Sequence, residues 1–174
     1  MITQTADIFI FNYEGRIDMK ERKKLHDCSI YLIMLAIIDI ISWFTSTNRF
    51  FNDGSFDEAI ANVEPGLQTA VKVCLVVILV LQLALSVSQI VIGHVGLKVS
   101  SNPNAGKGYI TASKVLFVLN IIAVVSVVIV LFDAESKYII DHVLSLVASV
   151  ADTLIVFFFI KAAKAVRQSV LENK

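Results

Sequence analysis

Charge is scarce in this chain. Asp, Glu, Lys and Arg make up 17% of its 174 residues and their formal sum is zero, whereas a soluble domain carries about 25% charged residues. Without a basic excess there is nothing to neutralise a run of phosphates, which argues against nucleic acid as a partner. Cysteine is limited to Cys28 and Cys74, so the paired thiols of a quinone-linked redox enzyme are missing. Proline occurs only at Pro65 and Pro103, which leaves long stretches of chain without a helix breaker. The glycine-rich turn Gly106-Lys107-Gly108 has neither the spacing nor the preceding strand of a phosphate-binding loop. Residues 1–27 contain no apolar core followed by a small-residue cleavage site. The first apolar block is therefore expected to act as its own insertion signal and to stay in the mature protein.

What is abundant is hydrocarbon. Hydrophobic residues reach 56% and mean hydropathy is +0.76. They are concentrated in four blocks, at about residues 28–45, 71–98, 113–132 and 139–160, each near or above the roughly 17–25 residues that cross a bilayer as helix. Buried helices of a soluble protein would carry a charged face, and these blocks have none. The fold expected is all-α: a single integral membrane four-helix bundle over residues 1–174, with short loops and a cytoplasmic helical extension at 161–174. The lipid bilayer is its first partner.

Direction follows from the basic residues. Arg16, Lys20, Arg22, Lys23 and Lys24 precede the first block, Lys98, Lys107 and Lys114 lie between the second and third, and Lys161, Lys164, Arg167 and Lys174 follow the fourth. Only Arg49, Lys72 and Lys137 remain for the other side. Because translocating positive residues is disfavoured, both termini are expected in the cytoplasm. The Val/Ile/Leu spans with Lys-rich flanks suit a bacterial cytoplasmic membrane. On this topology Cys28 and Cys74 sit near opposite faces of a core about 30 Å thick, out of disulfide reach.

The loops read as connectors and anchors. Asn52-Asp53-Gly54-Ser55 is a turn, Ser55 with Glu58 fits a capping box opening a short helix, and Pro65-Gly66 closes it. The acidic residues Asp53, Asp57, Glu58 and Glu64 make a solvated cap over the external helix ends. Lys20–Lys24 and the tail from Lys161 read as membrane-surface anchors.

Polar residues inside the blocks carry the functional information. Gln82, Ser86, Gln89, Gly93 and Gly96 recur at intervals of 4, 3, 4 and 3, and His142, Ser145, Ser149 and Asp152 at 3, 4 and 3, so each set occupies one helical face. The first block offers Ala36, Asp39, Ser42 and Ser46, and the third Ser113, Asn120 and Ala123. Four such faces should converge, with Gln82, Gln89 and Asn120 hydrogen-bonded across helices. Asp39 and Asp152 fall close to mid-membrane, where a carboxylate costs about 2.5–3.5 kcal/mol and no Lys or Arg lies at matching depth. Each must hold a proton, accept hydrogen bonds, or meet water or a bound cation, and two acids facing one another would share a proton. A candidate ion site is thus Asp39 and Asp152 lined by Gln82, Ser86, Gln89, Asn120 and Ser149. His26 and His94 share the cytoplasmic boundary while His142 stands alone near the other face, which is too little for a haem or zinc site. No cofactor, metal or catalytic residue is expected.

In topology the chain resembles small tetraspans such as MARVEL proteins. It has no claudin-like pattern, because its single tryptophan, Trp43, is inside the first block and no cysteine pair follows. The leading expectation is a non-enzymatic interaction, scaffold or accessory subunit, in a membrane complex or a homo-oligomer. The alternative is a small proton- or cation-coupled transporter or channel using Asp39 and Asp152. The topology has a direct test. With Cys28 and Cys74 replaced by alanine, a cysteine at Asp57 should react with an impermeant maleimide in intact cells, and one at Asn104 only after lysis. The reverse pattern would invert the topology.

Overall fold

The computed structural model is all-helical. It describes residues 2–61, 63–102, 108–133 and 139–172, with side-chain environments from Met19 onward apart from residues 55, 59, 130, 133, 139–142 and 172. The elements are α1 (Ile2–Asn52), the short α2 (Ser55–Ala61), α3 (Gln68–Ser101), α4 (Gly108–Asp133) and α5 (Ile139–Glu172). Pro65 falls in the α2–α3 connection and Pro103 between α3 and α4, so neither proline interrupts a helix. Gly54, at φ +84°, makes the turn out of α1, and its carbonyl accepts the Glu58 amide at 2.9 Å. The helix therefore begins at Ser55 with Gly54 in the capping position, one residue earlier than the expected box; the Ser55 side chain lies outside the described set. Of the connector expected over Ser100–Gly108, Ser100 and Ser101 belong to α3 and Gly108 opens α4, while residues 103–107 lie outside the described set.

Four helices are long and apolar enough to cross a membrane: Met19–Asn52, Gln68–Ser101, Gly108–Ile129 and Val143–Leu171, with peak mean hydropathies of 2.0, 2.6, 2.4 and 2.4. Only 17% of the most apolar stretch of each is buried within the chain. Ile37, Ile41, Val76, Val80, Val118, Ile122, Val147 and Leu154 all point outward. A soluble monomer rarely exposes a contiguous apolar patch beyond a few hundred Å²; lipid is the solvent in which such a perimeter carries no penalty.

α1 packs along both α3 and α5, and α4 along α5, while α3 and α4 meet over a shorter stretch. The close contacts gather at the lysine-rich end of the helices. There Leu25, Ser29, Leu32 and Ala36 of α1 pack with Ile92, Gly93, Gly96 and Val99 of α3, Tyr109, Ser113 and Leu116 of α4, and Val156, Phe159, Ala162, Ala163 and Val166 of α5. Tyr109 meets Phe159 edge-on, with centroids 6.2 Å apart. This collar reaches beyond the apolar blocks. Leu25 precedes the first, and Ala162, Ala163 and Val166 belong to the tail read from sequence as a surface anchor. Lys161 and Lys164 on the same turns are exposed, so this segment is amphipathic, with its small apolar side packed inside.

Two glycines set how close the helices come. A Cβ on Gly96 would run into the Ser29 hydroxyl and the Phe159 ring, and one on Gly93 would lie 2.6 Å from Ile33 Cγ1 and 3.0 Å from the Ser29 carbonyl. Helices in lipid gain little from leucine against leucine, and close approach over small residues supplies the packing instead. The collar serines are self-contained: Ser29 donates to Leu25 O and Ser113 to Tyr109 O, both at 2.6 Å, so burial leaves neither hydroxyl hydrogen unpaired. Gly96→Val should therefore cost about 1–3 kcal/mol by overpacking, seen as a lowered midpoint of thermal unfolding in detergent. Gly66→Ala, where a Cβ meets nothing within 4 Å, should leave the midpoint unchanged. Equal midpoints for both variants would remove the collar from the account.

Candidate functional site

From the lysine-rich end, each helix presents one inward face whose residues change character along its length. On α1 the face runs Leu25, Ser29, Leu32, Ala36, Asp39; on α3, Gly96, Gly93, Gln89, Ser86, Gln82; on α4, Ser113, Leu116, Asn120; on α5, Val166, Ala163, Phe159, Val156, Asp152, Ser149. The spacing of 3 and 4 keeps each series on one side of its helix. Apolar and small residues close the collar. Past it, the polar members face one another across a cavity of about 720 Å³.

All seven residues of the sequence-predicted site line this one cavity: Asp39, Gln82, Ser86, Gln89, Asn120, Ser149 and Asp152. Ser42, Ser46 and Ser145 line it as well. Asp39 and Asp152 line the same cavity near enough for their carboxyls to interact, and two acids so placed share a proton more readily than they both ionise. Among the described residues no Lys or Arg reaches the cavity. The remaining stripe residues fall elsewhere: Gly93, Gly96, Ala36 and Ser113 are in the collar, and the His142 side chain is outside the described set. His26 and His94 are exposed, and His26 Nδ1 stands 3.4 Å from an Asp27 carboxylate oxygen. Among the described residues no group of three His, Cys, Asp or Glu is placed to hold a metal ion. Cys28 and Cys74 are free.

The expected pairing of glutamine and asparagine across helices does not form. Gln89 is 3% exposed and Asn120 7%, yet Gln89 Oε1 and Asn120 Nδ2 have no hydrogen-bond partner. Asp152 Oδ1 and Thr47 Oγ1 are likewise buried and unpartnered, and all four residues line the cavity. Ser86 turns back on its own helix, donating to Gln82 O at 3.3 Å. These side chains line the wall of a cavity instead of meeting across a helix interface, which leaves the amide atoms without partners.

Trp43 and Thr47 also line the cavity and were missed in the sequence. They lie four and eight residues after Asp39, on the face that Asp39 itself marks, so the signal was present. Trp43 Nε1 donates to Leu79 O at 2.9 Å, tying α1 to α3 at this level. Phe50, at the far end of the wall, contacts Phe56 of α2 with centroids 5.7 Å apart, which places α2 by the cavity end away from the lysines.

No family model matches the chain, and no curated protein or solved structure matches it either. The site stands on its own geometry. Since Gln89 Oε1 is buried without a partner, Gln89→Leu should raise stability by about 1 kcal/mol, read as a higher unfolding midpoint in detergent without added ligand. A loss of similar size would mean that the amide holds helices together.

Proposed function

We propose that this is a multi-pass membrane protein, its termini cytoplasmic in a bacterial plasma membrane, whose four-helix bundle holds a proton or cation between Asp39 and Asp152. The observation that carries this reading is the meeting of those two carboxyls in a cavity to which no Lys or Arg contributes among the described residues. Two acids at membrane depth have negative charge to place and no protein cation to place it against. Either a proton bridges them or a mobile cation neutralises them, and exchange between the two is the elementary step of cation-coupled transport. Ser86, Ser149, Gln82 and the Gln89 oxygen supply neutral acceptors in the lining of the same cavity. On this reading the protein is a small proton- or cation-coupled carrier or channel, and not an enzyme.

A second reading, scaffold or accessory subunit in a complex or homo-oligomer, is favoured by the shorter α3–α4 contact, which leaves one flank of the bundle less closed than the others. Reconstituted vesicles separate the two. Asp39→Asn and Asp152→Asn should each abolish proton or cation flux while preserving a monodisperse protein of wild-type size in detergent. Wild-type vesicles passing neither protons, Na⁺, K⁺ nor divalent cations under an imposed gradient would sink the transport reading. Partner chains retained through mild extraction would then support the scaffold.

A further inference from the structure

The cavity is far larger than a bare cation needs. A water molecule occupies about 30 Å³, so a volume of about 720 Å³ would hold a cation with a full hydration shell and much besides. It falls within the roughly 300–1,000 Å³ typical of small-molecule sites. Its lining is also of two kinds. Away from the collar, beyond the carboxyls, Gln89 and Asn120, the walls carry Trp43, Phe50, Leu75, Ile78 and Leu144, interspersed with Ser42, Ser46, Thr47, Gln82 and Ser145, so that apolar surface adjoins the polar groups. A hydrated metal ion has no use for that apolar surface.

The unpartnered atoms narrow the choice. Asp152 Oδ1 and Gln89 Oε1 are acceptors buried without donors, and Gln89 is more than nine-tenths buried. An occupant that satisfies both must donate at least two hydrogen bonds from one end and carry the positive charge that the carboxyls call for. A protonated primary amine does so, having three N–H donors; a quaternary ammonium has none. Asn120 Nδ2, a donor without an acceptor, would be met by an oxygen on the occupant or by a water that enters with it. The apolar remainder of the molecule would lie along Ile78 and Leu144 with the Trp43 ring beside it, and an aromatic face there attracts a nearby cation as well.

We propose that the cavity binds an amphipathic organic ammonium ion, its N–H groups on Asp39, Asp152 and Gln89 Oε1 and its apolar body against the wall that runs from Trp43 to Phe50. This rests on the reading of the Asp39–Asp152 pair as the cation site and names the class of cation that the rest of the cavity fits. The ion enters with its charge, displaces the proton shared by the two carboxyls, and leaves that proton to solvent; no covalent bond is made or broken beyond that transfer.

The protein has a reporter in place, since Trp43 is its only tryptophan and lines the cavity. Purified protein in nanodiscs is titrated with phenethylammonium, with the uncharged 2-phenylethanol, with tetraethylammonium and with Na⁺ alone, following Trp43 fluorescence and, in weakly buffered solution, proton release. Phenethylammonium should produce a saturable change with about one proton released per ion bound. The alcohol and tetraethylammonium should bind about 30-fold more weakly or worse, as expected where a buried charged hydrogen-bond partner is lost. The double variant Asp39→Asn, Asp152→Asn should lose phenethylammonium binding to the same degree, and the wild-type comparison of amine with alcohol decides the matter even where that variant does not fold. Equal binding of amine and alcohol overturns the proposal, as does saturable tetraethylammonium binding of equal strength. No response to the amine, with Asp-dependent proton or Na⁺ flux intact, overturns it while leaving the cation site standing; loss of both removes the two readings together.

Discussion

The close approach of α1, α3 and α5 at Ser29, Gly96 and Phe159 is the contact on which the rest of the structure depends. Gly96 admits both the Ser29 hydroxyl and the Phe159 ring into space that any Cβ would fill. In water such a crossing would be one contribution among many. In lipid, where apolar perimeters are satisfied by acyl chains, tight van der Waals contact between small residues is a principal source of helix association. With the helices fastened at one end, the polar residues beyond can line a cavity without the assembly coming apart.

The same stripe thus does two jobs at two heights. Along α3, glycine at 96 and 93 gives way to Gln89, Ser86 and Gln82, and along α5 the run Val166, Ala163, Phe159, Val156 gives way to Asp152 and Ser149. Nothing in the helical geometry changes where the character changes. What changes is the volume of the side chains and whether they need hydrogen bonds. Small or interlocking residues draw helices together, and the longer polar side chains beyond them line a cavity with amide atoms left unpartnered. Trp43, bonded to Leu79 O at 2.9 Å, then fixes the separation of α1 and α3 on the cavity side.

This division explains what could be read beforehand. The four long apolar helices follow from composition alone, because runs such as residues 73–95 contain no Asp, Glu, Lys or Arg and so have no charged face for water. The polar members of the inward stripes were visible for the opposite reason: Asp39, Gln89, Asn120 and Asp152 stand out against valine and leucine. The collar did not stand out. Ala162, Ala163 and Val166 sit among Lys161, Lys164 and Arg167, and a segment of that composition reads as a surface helix unless the partner that covers its apolar side is known. That partner includes Leu25, itself in a charged stretch. Trp43 was hidden by its neighbours, since an aromatic residue in an apolar block carries no contrast. The absence of amide pairing between Gln89 and Asn120 is a tertiary outcome that no pattern within one helix encodes.

The energetics of the polar end bear on why such a cavity persists. An unsatisfied polar group away from water costs several kcal/mol, and this chain keeps buried, unpartnered atoms on Thr47, Gln89, Asn120 and Asp152 around a single space. A bundle whose task was only to hold together would be more stable with leucine at those positions, and the collar shows that the sequence can pack tightly where that is all that is asked. Stability of a membrane fold is a small difference between large terms, so retaining such groups in one place concentrates a penalty that the collar must offset. Proteins accept local penalties of this kind where a ligand or a reaction requires the group. A site that holds its charge and donors ready also spares its ligand the cost of arranging them. On the proposed reading, the polar stripes are one half of an interaction whose other half is supplied from solution.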